Sequence, residues 1–356
     1  MITHHTTAES DDQLARALAL ARAGRAAERK RDLDVALEHY RESQEVLSAL
    51  SSTPLHANLL RWMGSVYRDM GNVEKASRLY EDSLQEAEEV GTMSGVASAL
   101  NCQAVIAQRQ GDLDKATTLY RRAARLAAEA GEIRLAGMIE QNLGVLANIR
   151  GDLDGALVRY RAALKAFQQI GDREAVSWVL NNMGMLLNDL KQPDRAEERL
   201  VQALAIARER EDDPMEGILL TNYAESLLQM ERWDDAEESL EAALRIARAG
   251  EDPARAGEAL KFIGVLERER GQAESASQRF EEALLIAKTV STPLLVAEVL
   301  RERAEHRRRE GDREGALNDL REALQGFEAL DATLDADDIR TRLAALIDAA
   351  AAEGSE

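Results

Sequence analysis

Apolar positions in this chain recur on one face of a helix, and the whole pattern returns every forty residues. Stepping by that period gives Ala36, Ala76, Ala116, Ala156, Ala196, Ala236, Ala276 and Ala316, an unbroken column of alanine. Four residues on, the column reads Tyr40, Tyr80, Tyr120, Tyr160, Leu200, Leu240, Phe280 and Leu320. Three further on it reads Ser43, Ser83, Ala123, Ala163, Ala203, Ala243, Ala283 and Ala323. An earlier column is Gly24, Gly64, Ala104, Gly144, Gly184, Ala224, Gly264 and Ala304. The small–large–small spacing lies on one helix face. A column that admits only Gly or Ala marks a place where two helix axes come close, with the large residue filling the space beside it.

The punctuation has the same period. Gly71, Gly111, Gly151, Gly271 and Gly311 each stand where a helix should end on a left-handed residue. Asn72, Asp112, Asp152 and Asp312 follow as candidate N-caps. The five prolines, Pro54, Pro193, Pro214, Pro253 and Pro293, sit at expected helix starts, where the missing N–H costs nothing. Each unit therefore reads as two helices of about 17 residues, roughly 26 Å long, joined by a tight turn. First helices are expected near 11–29, 54–70, 94–110, 134–150, 174–190, 214–230, 254–270 and 294–310. Second helices are expected near 33–49, 73–90, 113–130, 153–170, 193–210, 233–249, 273–289 and 313–329. Eight antiparallel pairs thus fill 11–330, and a helix within 331–351 caps the last of them, with Ala344 in the Gly/Ala column and Leu343, Leu346 and Ile347 on its buried face. The ends, 1–10 and 352–356, are expected to be disordered. The turns at Lys191 and Glu231 match least well, because neither has the glycine.

Composition narrows the function. Aromatic residues make up only 4% of the chain against 45% apolar residues in all, which suits thin helix–helix contacts better than one thick core. A formal net charge of −20 repels phosphate, so neither nucleic acid nor an anionic membrane is an expected partner. The same charge resists self-association, and a monomer or weak homo-oligomer is expected. Cys102 is the single cysteine, so an intrachain disulfide and a zinc cluster are both excluded. Met1–Asp12 is polar, with no secretory apolar run, and no stretch is long and apolar enough for membrane insertion. A cytoplasmic location is the expectation.

These columns resemble the tetratricopeptide repeat. The family's small residue in the first helix matches Gly24, Gly64, Gly144, Gly184 and Gly264. Its Ala–aromatic–Ala core in the second helix matches Ala116, Tyr120 and Ala123, and again Ala156, Tyr160 and Ala163. The resemblance covers residues 11–351; the common repeat is shorter, so this is its long, forty-residue variety. That variety is similar to the repeats of kinesin light chains, G-protein-linked spindle-orientation adaptors and bacterial peptide-pheromone receptors. Leu180-Asn181-Asn182-Met183-Gly184 and Gln141-Asn142-Leu143-Gly144 match an element those families carry in the first helix, and Leu220-Thr221-Asn222-Tyr223-Ala224 matches it loosely. The resemblance implies an all-α, right-handed superhelical solenoid with first helices lining a concave groove.

If first helices line a groove, the middle repeats offer it a track of amides: Asn101, Gln141, Asn142, Asn148, Asn181, Asn182, Asn188 and Asn222. Asn is a poor helix-interior residue. Its carboxamide both donates and accepts, which matches the main chain of an extended peptide. The competing reading is that the amides bond each other between adjacent helices. Arg61, Arg68, Lys261, Arg268 and Arg301 make both ends more charged. Trp178, Met138 and Met185 fall on or near the same face, as adaptable apolar contacts or as plain packing. Trp62 and Phe262 stand in the amide column outside the amide block. Cys102 reads as a small inert side chain, and no histidine pair has metal-ligand spacing, so no metal or cofactor is expected. The run Arg301–Glu310 reads as a face of mixed-sign pairs or as an anchor for an acidic peptide.

No phosphate loop, dinucleotide fingerprint, nucleophile elbow or zincin motif is present, so an enzyme is not expected. Three readings remain: a scaffold that holds an extended peptide or helix of a protein partner in its groove, an assembly factor that acts through its convex face or ends, and a peptide-sensing regulatory module.

Overall fold

The computed structural model describes residues 3–48, 50, 53–330 and 332–353. The chain is 86% helical, and the described residues contain no strand. It divides into two compact units, Met1–Leu146 and Ala147–Glu356.

The first unit holds α1 (Thr3–Arg29), α2 (Leu33–Leu47), α3 (Pro54–Asp69), α4 (Val73–Val90), α5 (Met93–Arg109), α6 (Leu113–Glu129) and most of α7 (Ile133–Ile149). The second holds α8 (Leu153–Gln169), α9 (Arg173–Asp189), α10 (Pro193–Glu209), α11 (Asp213–Gln229), α12 (Trp233–Ala249), α13 (Pro253–Glu269), α14 (Ala273–Thr289), α15 (Pro293–Arg309), α16 (Arg313–Ala329) and α17 (Thr333–Glu353). Most boundaries fall within a residue or two of those expected. α1 begins eight residues early, since Thr3–Ser10 contains no Gly or Pro to stop a helix growing backwards.

The small-residue columns do what their spacing demands. All eight alanines from Ala36 to Ala316 are fully buried. The Gly column lies under the large column of the same pair. A β-carbon on Gly24 would come within 2.5 Å of the Tyr40 ring, on Gly64 within 2.7 Å of Tyr80, on Gly184 within 2.5 Å of Leu200, and on Gly264 within 2.8 Å of Phe280. Those distances are below van der Waals contact. In the Ser column, the buried hydroxyls of Ser43 and Ser83 donate to the carbonyls of Ala17 and Ala57, at 2.8 and 2.7 Å, and pin second helix to first.

The turns are stereotyped. Gly71, Gly111, Gly151, Gly271 and Gly311 all have positive φ. Asn72, Asp112, Asp152 and Asp312 accept from the backbone N–H three residues on, as N-caps should. The cap of α11 is Asp212, not Asp213, which puts Pro214 second in its helix. Lys191 and Glu231 take the left-handed conformation without glycine, at φ 56° and 59°, and the turns stay intact.

Adjacent helices pack as consecutive pairs in each unit, and first helices also pack on the next first helix: α1 on α3, α3 on α5, α9 on α11, α11 on α13, α13 on α15. Among the described residues, second helices have no comparable contact with one another. Each unit therefore bends with its first helices inside. In the second unit the bend brings Leu334 of α17 over the turn at Gly151. α17 covers the end of that unit with its first half: Ala336 and Ile339 are buried among Leu320, Ala323 and Phe327. Leu343 and Leu346 are partly buried, while Ile347 and Ala344, expected on or near the covered face, are exposed.

Two outcomes follow from this packing. Ala236→Leu overpacks a fully buried contact and should cost roughly 1–3 kcal/mol in denaturant melts. Amide exchange should rise in α11–α13 and stay unchanged in α1–α5, because repeats couple to their nearest neighbours. Glu231→Gly relieves a left-handed non-glycine residue and should raise stability by up to about 1 kcal/mol, read as a higher melting temperature.

Candidate functional site

The amides of the first helices are joined from repeat to repeat. In the first unit, Nδ2 of Asn142 donates to Oδ1 of Asn101 at 3.0 Å. In the second, Nδ2 of Asn222 donates to Oδ1 of Asn181 at 2.8 Å, the same step of forty-one residues. Asn188 is wholly buried: it donates to the Asn222 carbonyl at 3.1 Å and accepts from the Ser226 hydroxyl at 2.8 Å. Five of the eight expected amides thus hold neighbouring helices together. Asn142 and Asn222 are only half-buried, and each keeps a second N–H and an acceptor oxygen. Gln141, Asn148 and Asn182 are also half-buried.

The basic residues expected to be free are tied down. Arg61 lies 5.6 Å from the Trp62 ring centre and donates to Asn58, while Arg68 pairs with Asp69. Trp62 stacks on Tyr40 at 5.9 Å between ring centres. In the second unit Lys261 is buried and its Nζ lies 2.6 Å from Glu298. Arg268 bonds both the carbonyl and the carboxylate of Glu302, and Arg301 reaches Asp335 of α17 at 2.7 Å. Burial opposes charge on Lys261 and Glu298, yet each is held ionised by the other: the lysine pKa is raised, the glutamate pKa lowered. The run Arg301–Glu310 belongs to the same lattice. Arg303 clamps buried Asp319 with two hydrogen bonds, Arg307 reaches the same carboxylate at 3.1 Å, and Arg308 and Arg309 share Glu305. Its arginines are spent within the chain.

One candidate face in the second unit is a stripe on α9. Trp178, Asn182, Met185 and Asp189 follow one another at helical spacing on one face. Trp178 is 39% exposed and Met185 45%, both large apolar side chains on a first helix. Asn182 lies between them. Sδ of Met185 is 3.5 Å from Nδ2 of Asn181, which orients the thioether. On α11 the parallel stripe carries Asn222 and Glu225. Glu225 was not among the expected site residues, although it stands three residues after Asn222. No side chain among the described residues bonds it. Burial drives its pKa up to about 7, partly countered by Lys261, with Asp189 and Glu298 adding to the rise and Lys191 opposing it. Asp189 is raised too, first by burial and then by Asp335. The charges of α9, α11, α13, α15 and α17 are therefore within electrostatic reach of each other on the inner side of this unit.

Cys102 is buried beside Arg61 and Arg68, and burial pushes its thiol pKa up against their pull, which makes it unreactive. Among the described residues no group of three metal-ligating side chains could hold an ion, and no helix is long and apolar enough to cross a membrane.

The sequence matches the tetratricopeptide repeat over residues 55–129, 134–209 and 216–289, and the chain belongs to that family. No curated protein matches it. Among solved structures it is similar to a Rap protein complexed with competence and sporulation factor, with 14% identity over 96% of this chain and 99% of the other and a TM-score of 0.61. It is similar to the Rap conjugation gene regulator of plasmid pLS20 in complex with the Phr* peptide, with 16% identity over 82% and 78% and a TM-score of 0.58. A signal-transduction ATPase with a tetratricopeptide repeat sensor from Pyrococcus horikoshii gives a TM-score of 0.64 at 17% identity, over 90% of this chain and 48% of the other, so this chain spans about half that protein. At these identities the likeness is one of fold.

Glu225 predicts a pH effect. The folded chain holds its proton more tightly, to about pH 7, than the ordinary value of 4.5. The stability this contributes is complete below the ordinary value and is lost as the pH rises through 7. Glu225→Gln should therefore melt higher than the parent at pH 8, with the difference closing as the pH falls to about 4.5. A difference independent of pH would mean the carboxyl is not titrating in this range.

Proposed function

We propose that this protein is a non-catalytic interaction scaffold that takes an extended peptide or a helix of a protein partner on the first-helix face of its second unit. One observation carries the reading. On α9, two large apolar side chains stand exposed on either side of a half-buried amide, on the side of the unit that its own second helices leave uncovered. Trp178 and Met185 offer apolar contact to a partner's side chains. Asn182, with the spare groups of Asn222, offers a donor and an acceptor to its main chain. The rigid lattice beneath, through Asn181, Asn188 and Ser226, holds these groups in place before any partner arrives. Arg61, Arg68, Asn101, Gln141 and Asn142 would extend the same kind of face in the first unit, and Asn148, Lys261, Arg268 and Arg301 would border it in the second. Two proteins of like fold are seen in complex with competence and sporulation factor and with the Phr* peptide, which supports a peptide as the ligand class.

The test is a titration of a partner captured from native extract against the variant Trp178→Ala/Asn182→Ala/Met185→Ala. A single hydrogen bond nets about 1 kcal/mol and each lost apolar contact at least as much, so affinity should fall by about a hundredfold or more. The thermal melt should stay close to that of the parent, since the two apolar side chains are exposed. Unchanged affinity would move the contact to the second helices, where Val158 and Leu285 are exposed, and would favour an assembly factor.

A further inference from the structure

A cleft of about 370 Å³ opens between the second helices α12 and α14, with α13 beneath it, and shares no residue with the α9 stripe. Leu244, Ile263 and Leu266 give it an apolar base. Four arginines and three glutamates line it. Arg270 is engaged, at 2.7 Å from Glu237 and 2.6 Å from Asp234. The other three are held more loosely: Arg279 lies 3.3 Å from Glu267 and 3.5 Å from Glu282, Arg248 lies 3.5 Å from Glu282, and Arg245 lies 3.9 Å from Glu241. Well-made guanidinium–carboxylate bonds are shorter, about 2.7–2.9 Å, so these three have capacity left. On the same wall, Oε2 of Glu267 is buried without a hydrogen-bond partner. A buried carboxylate oxygen without a donor is costly, and a ligand that brings an N–H removes the cost.

Anion-accepting and cation-accepting groups thus face one small apolar-based cleft, whose volume lies at the lower end of the roughly 300–1,000 Å³ common for ligand pockets. We propose that this cleft binds a small zwitterion of the amino-acid or dipeptide class, with its ammonium on Glu267, its carboxylate on Arg248 and Arg279, and an apolar side chain over Leu244 and Leu266. The site is independent of the partner face on α9.

Isothermal titration of the full chain tests this with leucine, leucyl-leucine, N-acetyl-leucine and leucinamide. At least one free zwitterion should bind, and capping either end should weaken binding about tenfold. Arg248→Ala removes a side chain that is 60% exposed, so the fold should be kept, as a thermal melt will show. Arg248→Ala and Glu267→Gln should each weaken the bound zwitterion by about tenfold. No heat from either zwitterion, equal binding of the capped forms, or affinity unchanged in both variants would overturn the proposal.

Discussion

A first helix can lie against its second helix in this protein only because the side chain where the two axes are nearest is absent or a single methyl. At Gly24, Gly64, Gly184 and Gly264 the space a β-carbon would take is filled by the ring or branch of Tyr40, Tyr80, Leu200 or Phe280. Where the column holds Ala instead, as at Ala104, Ala224 and Ala304, the residue is fully or almost fully buried. The thinness of the contact sets the rest. Pairs stack through small residues, each repeat touches its neighbours, and the first helices crowd together on the inner side of each unit while the second helices spread. A core of bulky aromatics would not bend this way, because bulk between first helices would push them apart.

That geometry crowds charge as well as backbone. On the inner side of the second unit Lys261, Arg268 and Arg301 meet Glu298, Glu302 and Asp335 at hydrogen-bond distance. These pairs fix register between repeats; the attraction across each is offset by the cost of drawing both ions from water. Asp189 and Glu225 lack such partners, and their raised pKa values are the mark of that imbalance.

Function in such a scaffold depends on what the packing leaves over. Five amides and most of the inner arginines are used to hold the repeats together, so polarity on a first helix is a poor guide to binding. Exposure of large apolar groups beside a half-buried amide is a better one, because nothing in the stacking requires Trp178 or Met185 to face outward. The family's fold supports a role in protein contacts.

The sequence by itself determined the architecture: the period, most helix limits and caps, and the close contacts were legible, because each follows from local spacing and from the few residues that tolerate a left-handed turn or a close axis. Lys191 and Glu231 were readable only as weak turns, since a left-handed non-glycine residue is decided by the helices on either side of it. Tertiary structure alone decided which polar side chains are occupied. Asn101 and Asn181 looked like Asn182, yet two of them accept bonds from residues forty-one positions away. Arg301 is held by Asp335 of the last helix, and Ile347, expected on the buried face of that helix, is exposed. A hydrogen bond or ion pair between repeats depends on curvature, which is the sum of many small contact distances, and no single column of residues carries that sum.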